Sequence, residues 1–233
     1  MLNILEKIFT RLKKLKYERA IATKSIESRF NNIYAKNLWY SNKQSRSGSG
    51  STLEATENIR RELPEFLKEI NATSLVDLGC GDFYWMKEID IPCSYIGLDI
   101  VPGIVEENQK RYANNLREFK QHNAIEDSLP EDTDVILCRE VLFHLSFAYG
   151  MEVVQRVLES NASYFIATTS EAVSNDKDIR TGQFRNVDLL KPPYNLPPYV
   201  IKWQDSDKVS SDRHLCVWEV SKMRETLSLY NEK

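Results

Sequence analysis

The feature that most constrains this chain is a short apolar run broken off by two glycines, Leu75-Val76-Asp77-Leu78-Gly79-Cys80-Gly81. Leu75, Val76 and Leu78 are branched and closely spaced enough to form a buried strand, and Gly79 and Gly81 stop it at once. With no Cβ at those two positions, the backbone can come close to a ligand. In an open α/β sheet such a turn lies at the carboxyl end of a strand, where ligands bind. The pattern predicts a helix directly after the turn, over residues 83–89.

From residue 74 onward the chain alternates. Strand-like segments fall at 74–78, 95–99, 117–122, 134–138 and 163–168, separated by helix-like stretches that include 104–113 and 148–160. Such alternation predicts a mostly parallel sheet with helices on both faces. After Thr169 it stops. A polar loop over 170–186 leads to Pro192-Pro193 and Pro197-Pro198, and two further strand-like runs follow at 199–204 and 215–220 as an antiparallel pair. The expectation is an α/β, Rossmann-like fold with a mostly parallel seven-stranded sheet and an antiparallel C-terminal strand. Two parts are expected: a helical N-terminal extension over 1–46 and a main domain over 47–233.

Composition narrows the function classes. At 233 residues and 42% hydrophobic content the chain can bury one substantial core. A net charge of −3 gives no reason to expect a nucleic-acid partner. Cys80, Cys93, Cys138 and Cys216 are scattered, with no CxxC pair, so neither a metal site nor a disulfide scaffold is expected, and a reducing cytosol suits them. No apolar run is long enough to span a membrane, and the basic N-terminus lacks the features of a secretory signal. The expected location is cytoplasmic.

The N-terminal extension reads as an amphipathic helix. Leu5, Ile8, Leu12 and Leu15 share one face, amid Lys7, Arg11, Lys13, Lys14, Lys16 and Arg19. That stripe either lies on an anionic membrane, peripheral to its inner face, or packs on its own domain or a second subunit in a homodimer. The segment Ser45-Arg46-Ser47-Gly48-Ser49-Gly50-Ser51-Thr52 is either a flexible linker or a loop that offers N–H groups to an anion. Ser51-x-x-Glu54 has the form of a capping box, ahead of helically spaced Leu53, Ile59, Leu63, Phe66, Leu67 and Ile70.

A dinucleotide site needs G-x-G-x-x-G, and here the third position is Tyr84. Downstream, Tyr95-Ile96-Gly97-Leu98-Asp99 ends in a carboxylate about 20 residues after the loop, where it can accept from both ribose hydroxyls. Together these residues resemble the class I S-adenosylmethionine (SAM)-dependent methyltransferases. Val76–Gly81 is similar to the family's first motif, Gly97-Leu98-Asp99 to its ribose-binding strand end, Asn123-Ala124 to its adenine-binding position, and 134–139 to its fourth strand. More broadly, the chain over 47–220 resembles a bacterial subgroup whose substrate is poorly defined, through Ser47–Ser51, Cys80–Met86, Cys138–Leu145, Asp178-Ile179-x-Thr181-Gly182 and Pro192–Pro197.

The resemblance implies SAM as cofactor and the class I methyltransferase fold. Gly79 and Gly81 would touch its methionine part and sugar, Asp77 its ammonium, and Asp99 its ribose. Ile100 would pack on the adenine face, and Asn123 with Ala124 would meet the adenine edge. The backbone at Cys138 and Arg139 would accept from the ammonium, and Gly48, Gly50 and Ser51 would belong to a ligand loop. His144 follows the fourth strand and titrates near neutrality, so it is the first candidate base for an oxygen nucleophile, with Glu140 second; the bland alternative is a structural histidine. Trp85, Asp178, Thr181, Arg185 and Asn186 are candidates for the acceptor pocket, the loop over 175–186 closing upon it. The expected reaction is methyl transfer to a small-molecule or carbohydrate acceptor. The rivals are a non-catalytic cofactor-binding subunit and a protein or RNA methyltransferase.

Overall fold

A computed structural model of the chain describes residues 2–23, 25–39, 44–171, 173–206 and 210–231. Seven strands make one sheet: β1 (Ser74–Leu78), β2 (Ser94–Asp99), β3 (Arg117–Gln121), β4 (Val135–Cys138), β5 (Tyr164–Ser170), β6 (Ile201–Ser206) and β7 (Ser210–Glu219). Their order is β3-β2-β1-β4-β5-β7-β6. The first five run parallel, and β7 pairs antiparallel with both β5 and β6. The order reverses between β1 and β4, so a crevice opens at the carboxyl ends of these strands.

Helices cover both faces: α3 (Glu57–Glu69), α4 (Pro102–Tyr112), α5 (Phe147–Glu159) and α6 (Val220–Asn231). Strand side chains alternate between two apolar clusters. Val76, Ile136 and Cys138 face α5 and α6, whereas Leu75, Val135 and Leu137 face α3. A fully buried branched side chain of this kind stabilises by about 1.5–3 kcal/mol. In α6, Met223 and Leu227 sit one turn apart and complete the first cluster; the sequence reading stopped at residue 220.

Two local expectations are corrected. No helix follows the glycine turn; residues 83–89 hold a 3₁₀ turn at Met86–Glu88. Phe83 takes a left-handed backbone (φ 55), which no α-helix accepts, and its ring is fully buried against Tyr95, Tyr112 and Phe119. Core packing has overridden helical spacing. The capping box also fails, because Ser51 ends a 3₁₀ turn and α3 begins at Glu57. Between them Thr52 takes over: its hydroxyl accepts from Ala55 N–H and its carbonyl from the Thr56 hydroxyl.

The N-terminal extension is built into the domain. It comprises α1 (Leu2–Ile21) and α2 (Ile26–Ala35). Ile21 and Ile33 are buried against Gly182, whose φ of 100 and lack of a Cβ let Ile21 approach. The Tyr17 hydroxyl donates to the Gly182 carbonyl, Arg29 to the Thr181 carbonyl, and Gln183 to Glu18. Of the apolar stripe on α1, Leu12 and Leu15 are exposed, while the side chains of Leu5 and Ile8 lie outside the described residues. The Gly/Ser segment is docked rather than free. Asp82 accepts from the Ser45 hydroxyl, the Arg46 N–H and the Ser47 hydroxyl.

Candidate active site

The carboxyl ends of β1, β2, β3 and β4 form the floor of a cavity. Gly79 and Gly81 both have positive φ, 82 and 56. A Cβ on Gly79 would come within 2.4 Å of Val141, and one on Gly81 within 2.3 Å of the Ser47 hydroxyl. Glycine is required at both, on conformation and on space. The Asp99 carboxylate accepts from Gly81 N–H at 3.0 Å and Val101 N–H at 2.9 Å. Each oxygen keeps lone pairs for a further donor. Burial lifts Asp99 to about pKa 6 against those two N–H bonds. Asp77 is lifted to about 7, again by burial, although the Tyr95 hydroxyl donates to it at 2.7 Å. Two buried carboxylates that repel each other favour a ligand carrying positive charge.

Beyond β3, His122 and Asn123 line the cavity with Ala124. Asn123 is largely spent on its own turn. Its Oδ1 accepts from Ile125 N–H and its Nδ2 donates to Glu126. Sequence reasoning missed His122, which there is only the last residue of a strand-like segment. Its Nε2 is buried with no hydrogen-bond partner, and an orphaned polar atom on a cavity wall is one a ligand can satisfy.

At the end of β4, Cys138 turns its side chain into the core, where burial pushes the thiol far up and makes it inert. Arg139 lines the cavity; it ion-pairs with Asp205 at 2.8 Å, donates to the Gly50 carbonyl at 2.9 Å, and stacks over Trp85, another wall residue. It thereby ties the Gly/Ser segment to the strand ends. Glu140 holds a left-handed backbone (φ 62) and ion-pairs with Arg213. Gly50 packs so near that a Cβ there would stand 2.6 Å from Glu140 Oε2. Ser51 and Ile100 line the cavity, and Gly48 lies against Trp39.

His144 closes the 3₁₀ turn Leu142–His144 and lines the cavity. Its Nδ1 sits 2.9 Å from the Gln183 carbonyl, which can only accept. Nδ1 therefore carries the proton, and in the neutral ring Nε2 holds the free lone pair. Burial lowers its pKa below 6.5, against the opposing pull of the Gln183 bond and Glu140. The ring lies between Trp39 (4.7 Å) and Phe184 (5.5 Å), tilted against both.

The remaining wall comes from the N-terminal extension. Ile26, Phe30, Tyr34 and Trp39 reach over the strand ends, and the Tyr34 hydroxyl bonds to Ser47 at 2.6 Å. Sequence reasoning missed all four; the signal was the aromatic spacing of Phe30, Tyr34 and Trp39 just ahead of the Gly/Ser segment. Conversely, Asp178, Thr181, Arg185 and Asn186 are not among the cavity walls. They brace the loop instead. Asp178 accepts from Phe147 N–H, Thr181 from Ser146 N–H, and Asn186 from Arg213, while Arg185 stacks on Phe147 at 4.0 Å.

A family model described as a methyltransferase domain matches residues 76–166, the span from β1 to β5 that builds the cavity floor. That span is the chain's match to a methyltransferase domain, and the fold around it is shared with solved methyltransferases. No curated protein matches it. Among solved structures, magnesium protoporphyrin IX methyltransferase from Synechocystis PCC 6803 with bound SAM is similar, with TM-score 0.57, 14% identity, and 84% of this chain and 97% of that one covered. Human N-acetylserotonin methyltransferase in complex with SAM gives TM-score 0.54 and 14% identity, with 82% and 59% covered. An enzyme described as catalysing a pericyclic reaction gives TM-score 0.54 and 13% identity, with 82% and 52% covered. The chain thus spans little more than half the length of the last two. Among its described residues, no helix is long and apolar enough to cross a membrane.

Proposed function

We propose that this chain transfers a methyl group from SAM to an oxygen of a small-molecule or carbohydrate acceptor and releases S-adenosylhomocysteine. The observation that carries the reading is His144: an imidazole on the cavity wall whose Nδ1 is held by the Gln183 carbonyl, which leaves the lone pair on Nε2, and whose pKa burial lowers. When bound, SAM supplies an electrophilic methyl on a sulfonium. The residues present fit it. Asp99 has lone pairs for the ribose hydroxyls, and Asp77 and the backbone after Cys138 suit the ammonium. Gly79 and Gly81 let the backbone close in, Ile100 and Ala124 offer apolar contact to the adenine, and the unpaired His122 Nε2 joins Asn123 at its edge.

The chain's own work is alignment and proton removal. His144 Nε2 takes the acceptor's proton as the new C–O bond forms. Glu140 is the weaker candidate, since Arg213 occupies its carboxylate. Trp85 belongs to the pocket wall, and we read Asp178, Thr181, Arg185 and Asn186 as holding the loop that carries the Gln183 carbonyl. Within residues 1–38, we read the exposed side of α1 as the part that would meet a membrane or a second copy. The test is to incubate the protein and methyl-labelled SAM with fractionated cell extract. Label should enter a low-molecular-weight or glycan fraction with wild-type protein and not with His144→Ala; label in protein or RNA overturns the acceptor class, and cofactor binding without any labelled product supports the non-catalytic rival.

A further inference from the structure

The first helix has a face that no described residue of the chain covers. At its C-terminal end Ala20 and Ile21 are buried, and Tyr17 bonds to Gly182. At about 100° per residue, Leu12 and Leu15 fall on roughly the opposite side of the helix from these three. They are 52% and 47% exposed, and every residue from Thr10 to Lys16 is exposed. Among the described residues, this part of the stripe is left without a packing partner on its own domain. The charge is as lopsided as the burial. Within Leu2–Ile21 stand Lys7, Arg11, Lys13, Lys14, Lys16 and Arg19, against Glu6 and Glu18 alone, in a chain whose net charge is −3. On the helix surface Arg11 borders the leucines on one side and Lys16 on the other.

We propose that α1 docks on an anionic lipid surface, with Leu12 and Leu15 entering the boundary between headgroups and acyl chains and the flanking cations meeting phospholipid phosphates. Cations bordering an apolar stripe suit that boundary, because their stems lie along it while their heads stay wet. A second copy of α1 is a worse occupant, since pairing two stripes would bring two positively charged helices together. Two leucines bury little area, so the charge carries much of the affinity and docking is reversible and salt-sensitive. The docked helix adjoins the cavity: the Tyr17 hydroxyl accepts from Trp39 Nε1 at 3.1 Å, and Trp39 lies against His144.

The experiment is flotation of the full chain with vesicles of phosphatidylcholine alone and with added phosphatidylglycerol. Binding is expected only with the anionic lipid, falling at least fivefold between about 0.1 and about 0.5 M salt. Arg11→Glu combined with Lys14→Glu and Lys16→Glu should abolish it, and Leu12→Gln with Leu15→Gln should cut it severalfold. The thermal midpoint should not move in either variant, because these side chains are exposed. The proposal is overturned by absence of flotation with anionic vesicles or by binding that charge reversal leaves intact. A micromolar dimer in sedimentation that Leu12→Gln with Leu15→Gln dissociates would assign the face to a second copy instead.

Discussion

The two walls of the cavity are built on different principles. The floor, at the ends of β1 to β4, uses backbone conformation: left-handed Gly79 and Gly81, a strand-end Asp99, a strand-end Asp77. The opposite wall uses side chains brought from far away: Phe30, Tyr34 and Trp39 from the N-terminal extension, with Gln183 orienting His144 from a loop after β5. The floor holds a ligand that many proteins of this fold could share. The opposite wall instead depends on side chains that cross more than a hundred residues to meet, as Trp39 does to reach His144.

That contrast can be broken by mutation. The largest effect is expected on that opposite wall. His144→Ala should lower methyl transfer about 100-fold or more while leaving S-adenosylhomocysteine affinity within about threefold. Transfer at full rate by that variant would return His144 to a structural role. Trp39→Ala removes the ring packed against His144 and should cost about tenfold in turnover, largely restored by Trp39→Phe; an equal loss of cofactor affinity would place Trp39 over the cofactor instead.

On the floor, Asp77 yields an effect with a definite sign. Its folded pKa of about 7 lies above the ordinary carboxyl value of 3.8. The native state therefore binds the extra proton, and stability falls as pH rises from about 4 through 7. Asp77→Asn keeps an acceptor for the Tyr95 hydroxyl and removes that penalty, so its thermal midpoint should exceed wild type by at least about 2–4 °C at pH 8, a gain that fades toward pH 4. Cofactor affinity should drop in the same variant, since the ammonium loses a carboxylate. A midpoint unchanged at pH 8 would mean that the carboxylate is better solvated than its burial indicates. The smallest effect belongs to the loop. Asp178→Ala should change turnover less than about twofold, because its carboxylate bonds Phe147 N–H and Ile179 N–H outside the cavity; a tenfold rise in the acceptor's KM with kcat unchanged would bring it back to the acceptor.

The sheet was legible because its signals are local. Each strand is a run of branched residues with a break at its end, and the glycine turn and Asp99 declare themselves within a few positions. Where prediction failed, a distant contact had decided. Phe83 abandons helical geometry to reach Tyr95 and Phe119, and Thr52 displaces Ser51 as the organiser of the turn before α3. Asp178, Thr181, Arg185 and Asn186 looked like a polar pocket because nothing in the sequence tells which partners polar side chains will find. His122 shows the converse. Its one signal is an unsatisfied nitrogen, visible only once its neighbours are in place.

The central claim is that the cavity between the glycine turn and the N-terminal extension is a SAM site. Isothermal titration with S-adenosylhomocysteine measures it directly, and Asp99→Ala is the decisive comparison. One molecule should bind per wild-type chain, and the variant should weaken it at least tenfold, the loss expected for charge-assisted bonds to two ribose hydroxyls. No heat with wild-type protein, or equal affinity for both, would contradict the assignment.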